Sequence, residues 1–428
     1  MNRALIALLF TAVWPARGEV RTMTLNQTVE LALKQNADLL LARLDERKAQ
    51  EDVRIARDPF LPRIGVGSGL AYNNGFPMSI EGSAPSIIQA RANQFLFNRQ
   101  QSWTVAKVKE NARGAGIASA EKQEEIAFRV VELFLDAERL RREHQLAGQQ
   151  IQSMDKVAQA TRARLDEGRA IELDNKRAAF NLARARHRAT VLQGDIEAVE
   201  TSLAMALGFE ESDRVQPSDE ARVSPRYPAT EEEAVEMALQ SSRELRRKES
   251  ALLAEGLDIK AQKAARLPRV DLVAQYGLFG RYNNYDDYFQ TFKRHNGLLG
   301  MSFQVPLLVG PQVSALSEQA QINASRLRIE LTSARQRIAR ETRRSYQDVR
   351  RRQSEIDVAR LDLELAREQL SVLLTLMSEG RATLIQVEAA RFAESEKWLA
   401  YYAAQYTLER ARFDLARRVG ELTHRPRS

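Results

Sequence analysis

The side chains that could do chemistry are few. Four histidines occur, His144, His187, His295 and His424, and imidazole is the usual choice for proton transfer and metal ligation. None pairs with carboxylates at metal-ligand spacing. His144 falls in step with apolar residues at helical spacing, which marks it as packed or lumen-facing rather than a ligand. Cysteine is absent, which removes disulfides, thiolate metal ligands, thiol nucleophiles and a lipidated N-terminal Cys. Gly65-Val66-Gly67 with Gly69 has the composition of a phosphate cradle, but such a loop must open a helix. Here the glycines alternate with apolar residues, as a strand would place them, and Gly297-Leu298-Leu299-Gly300 reads the same way. Carboxylates are plentiful along helical stretches without forming a dyad. The sequence therefore offers no catalytic, cofactor-binding or metal-binding constellation, and it does not read as an enzyme.

What it offers instead is repetition. Glu167-Gly168-Arg169-Ala170 returns as Glu379-Gly380-Arg381-Ala382, a shift of 380 − 168 = 212. Leu61-Pro62-Arg63-Ile64 returns as Leu267-Pro268-Arg269-Val270, a shift of 268 − 62 = 206. Gly168 and Gly380 each follow a long helical pattern and precede another, so each marks a hairpin reversal. Glycine tolerates the left-handed conformation that ends a helix. Arg169 and Ile171 at the first tip, and Arg381 and Leu384 at the second, place a cation and an apolar side chain where another helical hairpin could pack end-on.

Long helices must position these tips. Ala106 to Leu165 is a continuous helical pattern, about 90 Å long at 1.5 Å per residue. Ile356, Ala359, Leu363, Ala366, Leu370, Leu373 and Met377 step by three and four. Subtracting 212 gives His144, Ala147, Ile151, Met154, Ala158, Thr161 and Leu165 in the same register. The return helices carry the same spacing, from Leu182 to Ala206 and through Tyr401, Ala404, Leu408, Ala411 and Leu415. An average spacing of 3.5 winds helices around one another left-handedly. Gly208 and Gly420 close the return helices.

Shorter elements precede each long helix. Thr24 with Gln27, and Thr230 with Glu233, make helix-start patterns. The helices they open run to about Arg57 and Arg266, before Pro59, Pro62 and Pro268. Val29, Ala32, Leu33, Leu40 and Leu44 form the apolar stripe of the first. The period then falls to two. Ile64, Val66, Leu70 and Tyr72 alternate with small residues. Val270, Leu272, Ala274, Tyr276 and Leu278 alternate with Asp271, Val273, Gln275, Gly277 and Phe279. Leu299, Met301, Phe303 and Val305 alternate with Gly300, Ser302 and Gln304. Ser86 to Phe97 alternates poorly. Ten-residue alternation suits a membrane barrel strand and equally a half-buried soluble hairpin. Long polar and aromatic loops, Asn73 to Pro85 and Arg281 to His295, join each pair.

Composition sets the remaining bounds. Charged residues are 28% of 428 and mean hydropathy is −0.43, which excludes a bundle of membrane helices. The formal charge of +7 is spread along helices and interleaved with Glu, as in Arg350-Arg351-Arg352 beside Glu355, so a solvated helix face is read rather than a nucleic-acid site. Asn2-Arg3, the apolar stretch Ala4 to Val13 and the small-x-small Ala16-Arg17-Gly18 read as a secretory signal over residues 1–18. The organisation is then a first repeat 19–208, with strands near 63–72 and 86–97 and a tip near 168; a connector 209–229; and a second repeat 230–428, with strands near 269–280 and 297–306 and a tip near 380.

With these features in hand the chain resembles the TolC family of outer-membrane efflux proteins across essentially Glu19 to Thr423. The Leu-Pro-Arg strand entries, the Val305-Pro306-Leu307-Leu308 exit, the Glu-Gly-Arg tips and the Gly208 and Gly420 helix ends carry the likeness. It implies a mainly α fold with a membrane β-barrel part: a long antiparallel coiled-coil tunnel plus four strands per protomer in a trimeric, twelve-stranded barrel. It implies a homotrimer in the outer membrane with a large periplasmic part, acting as the passive exit duct of a tripartite efflux or type I secretion system. A periplasmic adaptor and an inner-membrane pump would be its partners, with no cofactor and no nucleic acid. The physics agrees on assembly, since four strands cannot close a barrel, although two copies would also close one. A periplasmic coiled-coil adaptor or scaffold is the alternative. Two departures stand out. The first strand exit is Phe95-Leu96-Phe97-Asn98-Arg99, where the family has Pro-Leu-Phe then Gly. The acidic ring of some relatives falls on Gln386 and Ala389, with Asp174 and Arg177 at the same places in the first repeat. These four are the candidate periplasmic aperture, and Asp174 with Arg177 also suits a simple helical contact.

Overall fold

The computed structural model describes residues 19–69, 86–169, 171–218, 228–280, 290, 293–307 and 310–422. The signal stretch, the loop 73–85, most of the loop 281–295, Leu70 to Tyr72, Ala170, Leu308 and His424 lie outside the described residues. Eight helices are described: α1 Leu25–Gln35, α2 Ala37–Arg57, α3 Arg99–Asp166, α4 Glu172–Ala206, α5 Glu231–Ser241, α6 Arg243–Ala264, α7 Pro311–Ser378 and α8 Leu384–Arg418. The strands are β1 Val20–Met23, β2 Arg63–Gly69, β3 Ser86–Asn98, β4 Arg214–Pro217, β5 Arg269–Phe279 and β6 His295–Gln304.

The long helices exceed expectation. Helices α3 and α7 span 68 residues each, about 100 Å at 1.5 Å per residue. The first helix of each repeat, by contrast, is two. Asn36 leaves helical geometry, accepts the Leu39 amide on its side-chain oxygen at 3.2 Å, and donates to the Ala206 carbonyl at 2.8 Å. Ser242 makes the same break in the second repeat, 242 − 36 = 206 residues on. The break resets the helix phase, so Leu39 turns inward while Leu40 and Leu44 are exposed. The expected stripe through Leu40 and Leu44 is corrected accordingly.

The chain folds as two compact units, each drawn from both repeats. One comprises Met1–Leu40, Glu121–Ser242 and Arg337–Ser428; the other Leu41–Ala120 and Arg243–Gln336. In the first unit, Ala32, Ile126, Val130, Phe134, Leu203, Leu207 and Val215 form one apolar cluster, and Ala234, Val349, Leu408, Leu415 and Val419 another. The predicted heptad faces inward, with Ala147, Leu363 and Ala366 buried. Strands β1 and β4 pair in parallel here, a pairing the connector's composition does not announce.

The second unit carries a four-stranded antiparallel sheet in the order β2-β3-β5-β6. Strand β3 slips register between Ser86 and Ile88 and again between Phe95 and Phe97. Each bulge inserts a residue and inverts which side chains face outward, which is why its alternation reads poorly. The register puts Ile64, Val66, Ala92, Leu272, Ala274, Leu299 and Met301 on one face. Gly65, Arg91, Asn93, Asp271 and Ser302 lie on the other.

Candidate functional site

Both tips are built by the same backbone device. At the end of α3 the Arg169 amide donates to the Arg164 carbonyl at 2.8 Å and the Gly168 amide to Leu165 at 2.9 Å. At the end of α7, Arg381 donates to Leu376 at 2.8 Å and Gly380 to Met377 at 3.1 Å. This paired closure needs its penultimate residue left-handed, and Gly168 and Gly380 sit at φ of 70° and 71°. Gly208 and Gly420, at 83°, close α4 and α8 alike.

The side chains at the two tips then differ. Arg169 pairs with Glu167, and Arg381 with Glu379, both at 3.4 Å and both exposed. Ile171 is 61% exposed. Leu384, however, is half-buried, and its neighbour Ile385 is the exposed apolar residue at 48%. Thr383 caps α8 reciprocally with Gln386: the Gln386 side-chain oxygen accepts the Thr383 amide at 2.8 Å. Gln386 is therefore occupied in holding the helix start. Ala389 is exposed. Asp174 lies in the first turn of α4, where a carboxylate suits the helix dipole. The ion pair in that turn joins Lys176 to Glu172 at 2.7 Å; Asp174 and Arg177 share no described bond.

A polar seam above the tips is invisible in the sequence. Glu388, 3% exposed, accepts the Ser153 hydroxyl from the other hairpin and pairs with Arg391 at 3.5 Å. Two turns along, Glu396 accepts from Gln150 at 3.4 Å and from Arg188 at 3.1 Å. This seam joins α3 and α4 of the first repeat to α8 of the second. Arg351 and Arg352 pair with Asp348 and Glu355, as the interleaved charges suggested.

Two carboxylates farther up α4 and α8 are both penalised by burial but shift in opposite directions. Burial pushes the Glu200 carboxyl up, against the pull of Arg141 and Arg214. Burial would raise Asp414 too, but Arg418, the Ser345 hydroxyl and Arg417 outweigh it and hold that carboxyl below its ordinary value.

The sheet has an unusual surface. Ile64 (73%), Val66 (74%), Leu299 (77%) and Phe303 (69%) are among its most exposed side chains. In water this apolar face would be costly, at roughly 25 cal/mol per Å². In hydrocarbon it is the required surface. No described helix is long and apolar enough to cross a membrane.

Against known proteins, the chain matches the outer membrane efflux protein family twice, over residues 28–209 and 234–421. The chain belongs to that family. It is 22% identical to the outer membrane efflux protein BepC of Brucella suis biovar 1 (strain 1330), over 94% of this chain and 86% of that one. Its fold is similar to the outer membrane channel CmeC of Campylobacter jejuni, with a TM-score of 0.78 at 14% identity, covering 94% and 87% of the two chains. The outer membrane protein VceC of Vibrio cholerae gives 0.75 at 16% identity, covering 93% and 96%. Membership of this efflux family places the chain in the cell outer membrane, with its helical part on the periplasmic side, as an exit channel for exported material.

Proposed function

We propose that three copies of this chain form the passive exit duct of a tripartite efflux or type I secretion assembly, docked through the tips onto a periplasmic adaptor and energised by an inner-membrane pump. One observation carries the reading. A four-stranded sheet with an exposed apolar face has two edges, β2 and β6, that are unpaired among the described residues. Lipid cannot satisfy those backbone groups, so neighbouring copies must. Three copies supply twelve strands. The polar face, with Arg91, Asn93, Asp271, Gln275, Ser302 and Gln304, then lines the passage.

The family's channels do no chemistry of their own, and we read this one as a conduit too. The adaptor alternative would leave Ile64, Val66, Leu299 and Phe303 in water. Fractionation separates the two: the duct is recovered in outer membranes, and release into the soluble periplasm on osmotic shock refutes it. Detergent-extracted protein is expected to scatter light as a trimer, and a monodisperse folded monomer contradicts the assembly.

Arg169, Ile171, Arg381 and Leu384 are the docking residues in this proposal, with Ile385 added by its exposure. Gly168 and Gly380 shape the turns, and Asp174, Arg177, Gln386 and Ala389 surround the aperture. Changing Arg169, Ile171, Arg381 and Leu384 to Ser is expected to keep trimers and abolish export and adaptor cross-linking. Normal export by folded trimers of that variant sinks the docking claim.

A further inference from the structure

We propose that the peptide bond between Gly18 and Glu19 is the maturation site of this chain, and that the amine released there becomes an ion-pair anchor on Asp213. The small residues Ala16 and Gly18 locate the bond, since they stand three and one positions before it, where a leader peptidase accepts little else. The structure supplies an independent observation on the other side of the bond. The Glu19 backbone nitrogen lies 2.9 Å from the Asp213 Oδ1 atom.

The residues around that contact are held in place. The Glu19 carbonyl accepts the Arg214 amide at 3.0 Å, and the Met23 carbonyl accepts the Ser218 amide at 2.9 Å. Between them Val20–Met23 pairs in parallel with Arg214–Pro217, and Val215 is fully buried in the core. The Arg21 guanidinium lies over the Phe209 ring at 4.4 Å and binds the Glu19 carboxylate at 2.6 Å. The residues that follow the proposed bond, Glu19 to Met23, are thus held along their length by Asp213 to Ser218.

Hydrolysis changes what Asp213 holds. Water adds across the bond: its hydroxyl goes to the Gly18 carbonyl, which leaves as a carboxylate, and its hydrogen goes to the Glu19 nitrogen. That nitrogen takes up a further proton, since an α-amine titrates near about 7.7–8.0. A neutral amide with one N–H becomes an ammonium with three. The contact with the Asp213 carboxylate, until then a hydrogen bond from a neutral donor, becomes one between opposite charges. Cleavage therefore tightens the strand pair it leaves behind. The Arg21 contact also holds the Glu19 carboxylate away from the amine, which opposes cyclisation to a neutral lactam.

The test uses the full-length gene product purified from outer membranes. N-terminal sequencing is expected to read Glu-Val-Arg-Thr, with an intact mass for residues 19–428. A different first residue, an uncleaved chain, or a mass lower by one water overturns the proposal. Acylation of the α-amine near neutral pH tests the anchor. Asp213→Asn is expected to react several-fold faster than wild type, and Asp213→Glu to restore slow reaction. Equal rates in wild type and Asp213→Asn refute the ion pair. Should Asp213→Asn fail to fold, the wild-type labelling rate against pH decides: an apparent α-amine pKa above about 8.0 supports the anchor, and one inside the ordinary range refutes it.

Discussion

Gly168 and Gly208 close helices with the same backbone motif, yet they should not tolerate the same substitution. Both are left-handed, at φ of 70° and 83°. An alanine at either pays the left-handed cost of an L-residue, about 1–2 kcal/mol. It recovers about 0.4–1 kcal/mol because the unfolded chain loses freedom. The backbone terms therefore leave roughly 1 kcal/mol at each site. The surroundings then separate them. A Cβ on Gly168 meets nothing within 4 Å, while one on Gly208 meets the Gln35 carbonyl oxygen at 2.9 Å. That oxygen is backbone, at the end of a helix held by Asn36, so it cannot swing aside. Overpacking of this kind adds about 1–3 kcal/mol. Gly420 is tighter still, with the Ser241 Cβ at 2.7 Å, while Gly380 is as open as Gly168. Gly208→Ala and Gly420→Ala should thus cost about 2–4 kcal/mol per chain, and Gly168→Ala and Gly380→Ala about 1. The assay is thermal unfolding of detergent-purified protein followed by circular dichroism at fixed concentration. The order of melting temperatures is the readout, because an oligomer is not two-state. If the four variants melt together, or the tip variants melt first, backbone strain rather than the close approach governs these helix ends and the reasoning fails.

Asp414 should give the protein an acid limb: its carboxyl is held below an ordinary value of 3.8, so its contribution is complete above that value and is lost as pH falls through the folded one. Asp414→Asn should cost about 1.5–3 kcal/mol at pH 7, the worth of hydrogen bonds between charged groups, with Arg418 keeping Glu341 at 3.0 Å, and should flatten the fall of melting temperature below the ordinary carboxylate value of 3.8 in buffer titrations. Glu200 should behave oppositely, because its raised carboxyl makes the folded state gain stability as pH falls toward and through that value; Glu200→Gln is expected to melt at or above wild type at pH 8, and a clear loss there would show that the pair with Arg141 outweighs burial. Phe134→Ala, which empties a site only 1% exposed, should cost about 3–5 kcal/mol in the same melts, and a loss under 1 would mean that the cluster around it collapses freely.

Much was legible in the sequence because it is written in periods. A shift of 212 between Gly168 and Gly380 and a heptad from Ile356 to Met377 are one-dimensional facts. Each has one local solution: a left-handed glycine at a helix end, and an inward stripe on a long helix. Capping at Thr24 and Thr230, and alternation in β5 and β6, are local in the same sense. What the sequence left undecided depends on neighbours distant in the chain. Asn36 breaks its helix because the Ala206 carbonyl, 170 residues away, accepts its amide, and only that break turns Leu39 in and Leu40 out. Strand β3 reads irregularly alone, and its bulges make sense only against β5. Glu388 looks like any exposed helix glutamate until the fold brings Ser153 beside it from 235 residues away. Leu384 and Ile385 are interchangeable apolar neighbours in the sequence, and the packing of α8 alone decided which one faces outward. Periodicity sets what each segment prefers, because backbone geometry repeats locally. Burial and pairing of single polar groups are settled by tertiary contact, because their partners lie elsewhere in the chain.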